Sequence, residues 1–227
     1  MEYIENKEVI AKRIARFFTS GDVVNLGIGL PTLVANYLPD DVTLILQSEN
    51  GMLGLGPAPA PGKADKDLTN ASSMPATILP GGCFFDSAMS FGIIRGGHVD
   101  FTVLGVLEVD QEGNLANYKI PGKIVPGMGG AMDLVVGSKK VIAATTHFEK
   151  SGAAKLKRLC SLPLTAIHEV DYVVTDLGFF EVRDGKFLLW ECFPPYTPEF
   201  VISSTDADII LADDIIRSKA PRDESGS

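Results

Sequence analysis

The chain predicts an α/β fold, an open, mostly parallel sheet with helices on both faces. Two observations carry this. Strand-length apolar stretches alternate with helix-patterned ones along the 227 residues, and such alternation builds βαβ units. Several strand-like stretches, such as Leu44-Ile45-Leu46 and Val173-Val174, are apolar at adjacent positions, which marks strands covered on both faces.

Each element follows in order. Over residues 5–18, Val9, Ile10, Ile14, Phe17 and Phe18 recur with polar residues between them, so an amphipathic helix is expected, broken by Gly21-Asp22. Residues 23–28 read as a strand. Pro31 at a helix start, with Leu33, Val34, Tyr37 and Leu38, predicts a short helix ending before Pro39. Residues 42–47 are a strand. Asn50-Gly51 is the strongest short hairpin signal. The residues after it do not alternate, however, and soon reach Pro57, Pro59 and Pro61, so a long loop to about Asp67 is expected instead of a returning strand. Asp86 or Ser87 caps a helix over about 87–95. Residues 99–106 are a further strand. Val135-Val136 lies in a short helical or irregular piece, and residues 140–145 form a strand. Residues 172–175, 179–182 and 187–190 are short strands, and Arg183-Asp184-Gly185-Lys186 makes the last two a hairpin added at a sheet edge. Thr197-Pro198-Glu199 has the cap chemistry of a last helix. No linker divides the chain, so residues 1–217 read as a single domain, followed by a polar, disordered tail over 218–227.

Composition excludes several classes of function. A net charge of −9 lacks the clustered Lys and Arg of a nucleic-acid footprint. Lys155-Leu156-Lys157-Arg158 is the densest basic patch and, at helical spacing, reads as a solvated face. The N-terminus is polar and acidic, unlike a signal peptide, and no apolar run approaches the about 18 residues that span a bilayer. Three scattered cysteines, Cys83, Cys160 and Cys192, form no disulfide framework and fit a reducing cytoplasm; with three equally scattered histidines, no metal site is expected.

Chemistry concentrates at Gln47-Ser48-Glu49-Asn50-Gly51. A strand end opening onto a loop is where α/β enzymes keep reacting groups. Glutamate is ionised at neutral pH and needs no helper base to attack, so Glu49 is a nucleophile candidate. Asn50 and Gly51 shape the turn that aims it. Asn25-Leu26-Gly27-Ile28-Gly29-Leu30-Pro31-Thr32 follows a strand and opens a helix, but Thr32 leaves the dinucleotide fingerprint incomplete. Gly127-Met128-Gly129-Gly130-Ala131 is either a flexible turn or a set of backbone donors for an anion. A carboxylate nucleophile with such donors, and no second acid/base pair, suits acyl exchange through a mixed anhydride.

These motifs, with Ile94-Arg95-Gly96-Gly97-His98-Val99-Asp100, Gly113-Asn114-Leu115-Ala116-Asn117, Met132-Asp133-Leu134 and Leu162-Pro163-Leu164-Thr165, resemble the β subunit of class I CoA-transferases of the 3-oxoacid and butyrate–acetoacetate types. The resemblance covers about residues 5–215. It implies that Glu49 is the catalytic nucleophile, that Gly129 and Gly130 border the site as oxyanion donors, and that Asn50, Gly51, Gly27 and Gly29 belong to the substrate-binding surroundings. It further implies a CoA-transferase moving CoA between an acyl-CoA and a short-chain 3-oxo or other carboxylic acid by ping-pong through a glutamyl-CoA thioester. No cofactor is implied, since the CoA thioester is a substrate. The implied partner is a separate α subunit, in a heteromer. Arg95 and His98 are candidates for the partner contact or the mouth of the site, and Lys155, Lys157 and Arg158 for CoA phosphates. An acyl-CoA hydrolase using the same glutamate, or a non-catalytic ligand sensor on the same scaffold, are the alternatives.

Overall fold

The computed structural model describes residues 2–122, 125 and 127–217. In chain order the elements are α1 (Glu2–Ala15), β1 (Val23–Leu26), a 3₁₀ helix (Leu30–Tyr37), β2 (Ile45–Ser48), β3 (Met52–Leu55), β4 (Ile78–Phe84), α2 (Ser87–Arg95), β5 (Phe101–Gly105), β6 (Glu108–Asp110), β7 (Leu115–Ala116), α3 (Ala131–Gly137), β8 (Lys140–Ala144), β9 (Leu156–Lys157), β10 (Tyr172–Val174), β11 (Gly178–Arg183), β12 (Lys186–Cys192), α4 (Pro198–Ser203) and β13 (Ile209–Arg217). They fall into two compact units. One holds residues 11–105 and 127–142; the other holds the described residues among 1–10, 106–126 and 143–227. The tail expected over 218–227 lies outside the described residues.

In the first unit the strand order is β4-β3-β2-β1-β5, followed by residues 140–142 of β8. β1 pairs parallel with β2 and with β5, as expected for buried apolar strands. Val24, Ile94, Val103 and Ile142 are fully buried there, and each such side chain contributes about 1.5–3 kcal/mol. Asp86 caps α2 as its sequence predicts, its Oδ1 accepting from the Met89 amide at 2.8 Å.

One expectation is overturned here. The chain after Gly51 does return as a strand: β3 pairs antiparallel with β2, matching Ser48 to Met52 and Gln47 to Leu53, and then with β4. The prolines do not prevent this because β3 ends at Leu55, short of Pro57. Gly54, at φ +82°, accommodates a register shift between Leu53 and Leu55. The sheet is therefore mixed, parallel at β2-β1-β5 and antiparallel at β2-β3-β4.

In the second unit β10, β11 and β12 form an antiparallel meander. The hairpin of β11 and β12 forms as expected, but it is not the edge: β13 pairs parallel with β12 beyond it. Asp213 and Asp214 interrupt the apolar pattern of β13, as charges on an outer strand do, and so conceal it. β7, β6 and β9 make a separate three-stranded sheet. The basic patch belongs to this sheet and not to a helix. Lys155 Nζ donates to Thr145 Oγ1 and Thr146 Oγ1, both at 3.0 Å. Lys157 pairs with Asp206 at 3.5 Å and Arg158 with Asp208 at 2.7 Å. Thr197 caps α4, accepting from the Phe200 amide at 3.3 Å. No helix of the described residues is long and apolar enough to cross a membrane.

His147 is fully buried in the second unit, its ring nitrogens 3.1 Å from Thr175 Oγ1 and 3.0 Å from Thr205 Oγ1. Burial pushes its pKa down to about 4 from an ordinary 6.5, against a smaller opposing hydrogen bond with the Ser204 backbone. The folded state therefore holds a neutral ring while the unfolded chain takes up a proton below pH 6.5. The resulting stability is complete above 6.5 and is lost as pH falls toward 4, a difference of about 3 kcal/mol. Thermal melts of wild type and His147→Gln across this range are expected to converge as pH falls. Parallel curves would contradict the assignment.

Candidate active site

Every group of the site lies within the first unit. Glu49 follows the last residue of β2, in the turn of the β2–β3 hairpin. Gly51 closes that turn: its amide donates to the Ser48 carbonyl at 3.0 Å, and its carbonyl accepts from the Phe85 amide at 3.0 Å. Its φ is +116°, and a Cβ there would run into the Phe85 carbonyl oxygen. Only glycine meets both demands.

The residues flanking Glu49 hold it against a neighbouring loop. Ser48 Oγ accepts from the Ala71 amide at 3.1 Å, and Asn50 Nδ2 donates to the Thr69 carbonyl at 2.8 Å. The Asn70 Oδ1 between these anchors accepts from the Ser72 and Met74 amides and rigidifies the loop. Asn50 thus ties the turn to the Thr69–Met74 loop. The sequence places Ser48 in the Glu49 motif without giving it a role of its own, and it does not single out the Thr69–Met74 loop. The run Asn70-Ala71-Ser72-Ser73 has turn chemistry, but nothing local points it at Glu49.

The structure brings the second glycine motif to the same carboxylate. The Gly130 amide donates to Glu49 Oε1 at 3.4 Å, across 81 residues of chain. A Cβ at Gly130 would run into Glu49 Oε2 and would lie 3.3 Å from Phe91 Cε1. One at Gly129, where φ is +55°, would lie 3.6 Å from Glu49 Oε1. Both glycines therefore line the face of the glutamate. The first glycine motif makes its contacts elsewhere. The Gly27 amide donates to the Val103 carbonyl at 2.8 Å, and the Gly29 carbonyl accepts from Thr32 Oγ1 at 2.7 Å. Arg95 pairs with Asp133 at 2.6 Å, joining α2 to α3 on an exposed face. His98 is exposed as well.

Glu49 is half-buried. A carboxylate so placed, with a backbone donor on one oxygen, can attack an electrophilic carbon and have its own carbonyl stabilised when that carbonyl is attacked in turn. The thiol of Cys160 is no substitute, since burial, and then the charges of Asp110 and Glu108, push its pKa far up.

Residues 7–202 match the Coenzyme A transferase family. The chain is 57% identical over 208 residues to the β subunit of acetate CoA-transferase from Haemophilus influenzae, covering 92% of this chain and 93% of that one. It is 47% identical to the matching subunit of the probable succinyl-CoA:3-ketoacid coenzyme A transferase of Bacillus subtilis, covering 94% and 99%. Its fold is similar to that of an acyl-CoA transferase of Escherichia coli O157:H7 solved as a thioester complex with CoA, with a TM-score of 0.71 at 21% identity; 94% of this chain matches 43% of that longer one. The α/β class expected from the apolar pattern agrees with this likeness. The chain belongs to the coenzyme A transferase family, in its branch of β subunits.

Proposed function

We propose that this chain is the nucleophile-bearing subunit of a CoA-transferase that moves CoA between an acyl-CoA and a short-chain carboxylic acid. The observation that carries the reading is the Glu49 carboxylate at the end of β2 with the Gly130 amide on its Oε1. A Glu49 oxygen attacks the thioester carbonyl and expels CoA thiolate, leaving an acyl-glutamyl anhydride. The thiolate then attacks the glutamyl carbonyl, releasing the acid and leaving a Glu49–CoA thioester. An incoming carboxylate reverses both steps and departs as its CoA ester. When the glutamyl carbonyl is attacked, negative charge builds on its oxygen, where the Gly130 amide is available. One such donor is worth about 2.7–4 kcal/mol. The names of the relatives support acetate, succinate and 3-oxo acids as the acids to try. They also support an α subunit as the partner with which activity is assayed.

Gly130→Ala is expected to lower kcat about 100-fold with the fold retained, because the added methyl displaces the carboxylate. Full activity of a folded Gly130→Ala protein would remove the donor from the mechanism. The reading itself is tested by initial rates with the α subunit present, using acetoacetyl-CoA and acetate. Parallel double-reciprocal lines are expected, with acetyl-CoA formed as the product and sustained turnover dependent on acetate. Intersecting lines would exclude the covalent route. Steady release of free CoA without acid would establish a hydrolase instead.

A further inference from the structure

Beneath the glutamate, three strands carry a row of buried polar side chains where apolar ones are expected. Asn25 of β1 is in register with Gln47 of β2 on one side and with Thr102 of β5 on the other. The three are 4%, 2% and 0% exposed. Asn25 Nδ2 donates to Gln47 Oε1 at 2.6 Å and to the Gln47 carbonyl at 3.3 Å. Gln47 Nε2 donates to Ser90 Oγ of α2 at 3.0 Å, and Ser90 is fully buried. Thr102 Oγ1 has no hydrogen-bond partner among the described residues.

A buried polar row is a costly choice at the centre of a sheet, since apolar side chains would fill it without desolvating amides. Proteins break such rules chiefly at functional sites. Here the position of the row suggests the reason. Gln47 is two residues before Glu49, on the strand that ends just before it. Ser90, which holds Gln47, is followed in α2 by Phe91, whose ring packs at Gly130, the residue that donates to Glu49. The row therefore ties β1, β2 and α2 together one step below the carboxylate, and α2 touches both levels.

We infer that Asn25, Gln47 and Ser90 are positioning residues. Their hydrogen bonds fix the spacing and rotation of the end of β2 against α2, and thereby the aim of the Glu49 carboxylate at Gly130. They do not touch substrate. The inference rests on the proposed role of Glu49 and adds to it a second layer that acts on the reaction step and not on substrate affinity.

The test uses Ser90→Ala and the double variant Gln47→Met/Ser90→Ala, each assembled with the α subunit. The double variant removes both ends of the Gln47–Ser90 bond together with the Asn25–Gln47 side-chain bond, and leaves Asn25 its bond to the carbonyl of residue 47. Each variant is expected to lose kcat by about 10- to 100-fold with KM within about threefold of wild type. The loss in the double variant should be at least that of Ser90→Ala, because it breaks the same link and the Asn25–Gln47 side-chain bond as well. Melting temperatures report folding separately. A folded double variant with kcat within about twofold of wild type would overturn the inference, as would a loss carried by KM. If the double variant does not fold, Ser90→Ala decides by the same criteria. The covalent CoA adduct of the wild-type chain is measured alongside. Absence of that adduct in an active wild type would sink the Glu49 reading. Its presence with unchanged kcat in the variants would sink only the positioning role.

Discussion

Glu49→Gln is expected to abolish transfer while leaving the protein folded. Glutamine keeps the size of the side chain and an oxygen that can accept from the Gly130 amide, so the 3.4 Å contact has a replacement. The half-buried position and the hairpin around it do not depend on the charge. What is lost is the anionic oxygen. A neutral amide does not attack a thioester at a useful rate, and among the described residues no side chain hydrogen-bonds that of residue 49 to serve as a base. The loss in kcat should be orders of magnitude, with melting temperature nearly unchanged. Turnover near that of wild type in a folded Glu49→Gln protein would end the nucleophile assignment.

Gly51→Ala should have the largest effect on stability. Two costs combine at this residue. Its φ of +116° strains any L side chain by about 1–3 kcal/mol. The added methyl also meets the Phe85 carbonyl, which cannot rotate away as a side chain could, and overpacking of this kind costs about another 1–3 kcal/mol. The disturbance would pass to Asp86, the cap of α2, and so to the helix that packs at Gly130. The sum is a large fraction of the about 5–15 kcal/mol that holds a typical domain together. Gly21→Ala is the control, because Gly21 has φ +96° but nothing within 4 Å of its added methyl. Denaturant unfolding should place Gly51→Ala well below Gly21→Ala. Equal midpoints would show that the Phe85 contact relaxes without cost.

The parts of the fold written in local chemistry were legible in the sequence. Asp86 and Thr197 cap the helices they precede, and the parallel core strands carry adjacent apolar residues. Strand β3 was not, because three prolines follow it within a few residues and a four-residue strand has little room to show a pattern. Strand β13 was hidden by its aspartates, and β6, β7 and β9 by their length. In the site, Glu49 stood out because a carboxylate at the end of an apolar run is locally anomalous. The approach of Gly130 across 81 residues is a property of topology alone and was reached only through family resemblance. The buried row was invisible for a different reason. Asn25, Gln47 and Thr102 each read singly as the polar side of a pleat, and only the register of three strands shows that they share one buried level.

The central claim is that CoA becomes bonded to Glu49 during turnover. Its most direct test is the mass of the intact chain after brief exposure to acetoacetyl-CoA in the presence of the α subunit, followed by peptide mapping. A gain of one CoA, less the water lost in thioester formation, on the peptide containing Glu49 is the expected result, and Glu49→Gln should not show it. An actively transferring complex whose chain never gains that mass, or gains it on another residue, would contradict the account.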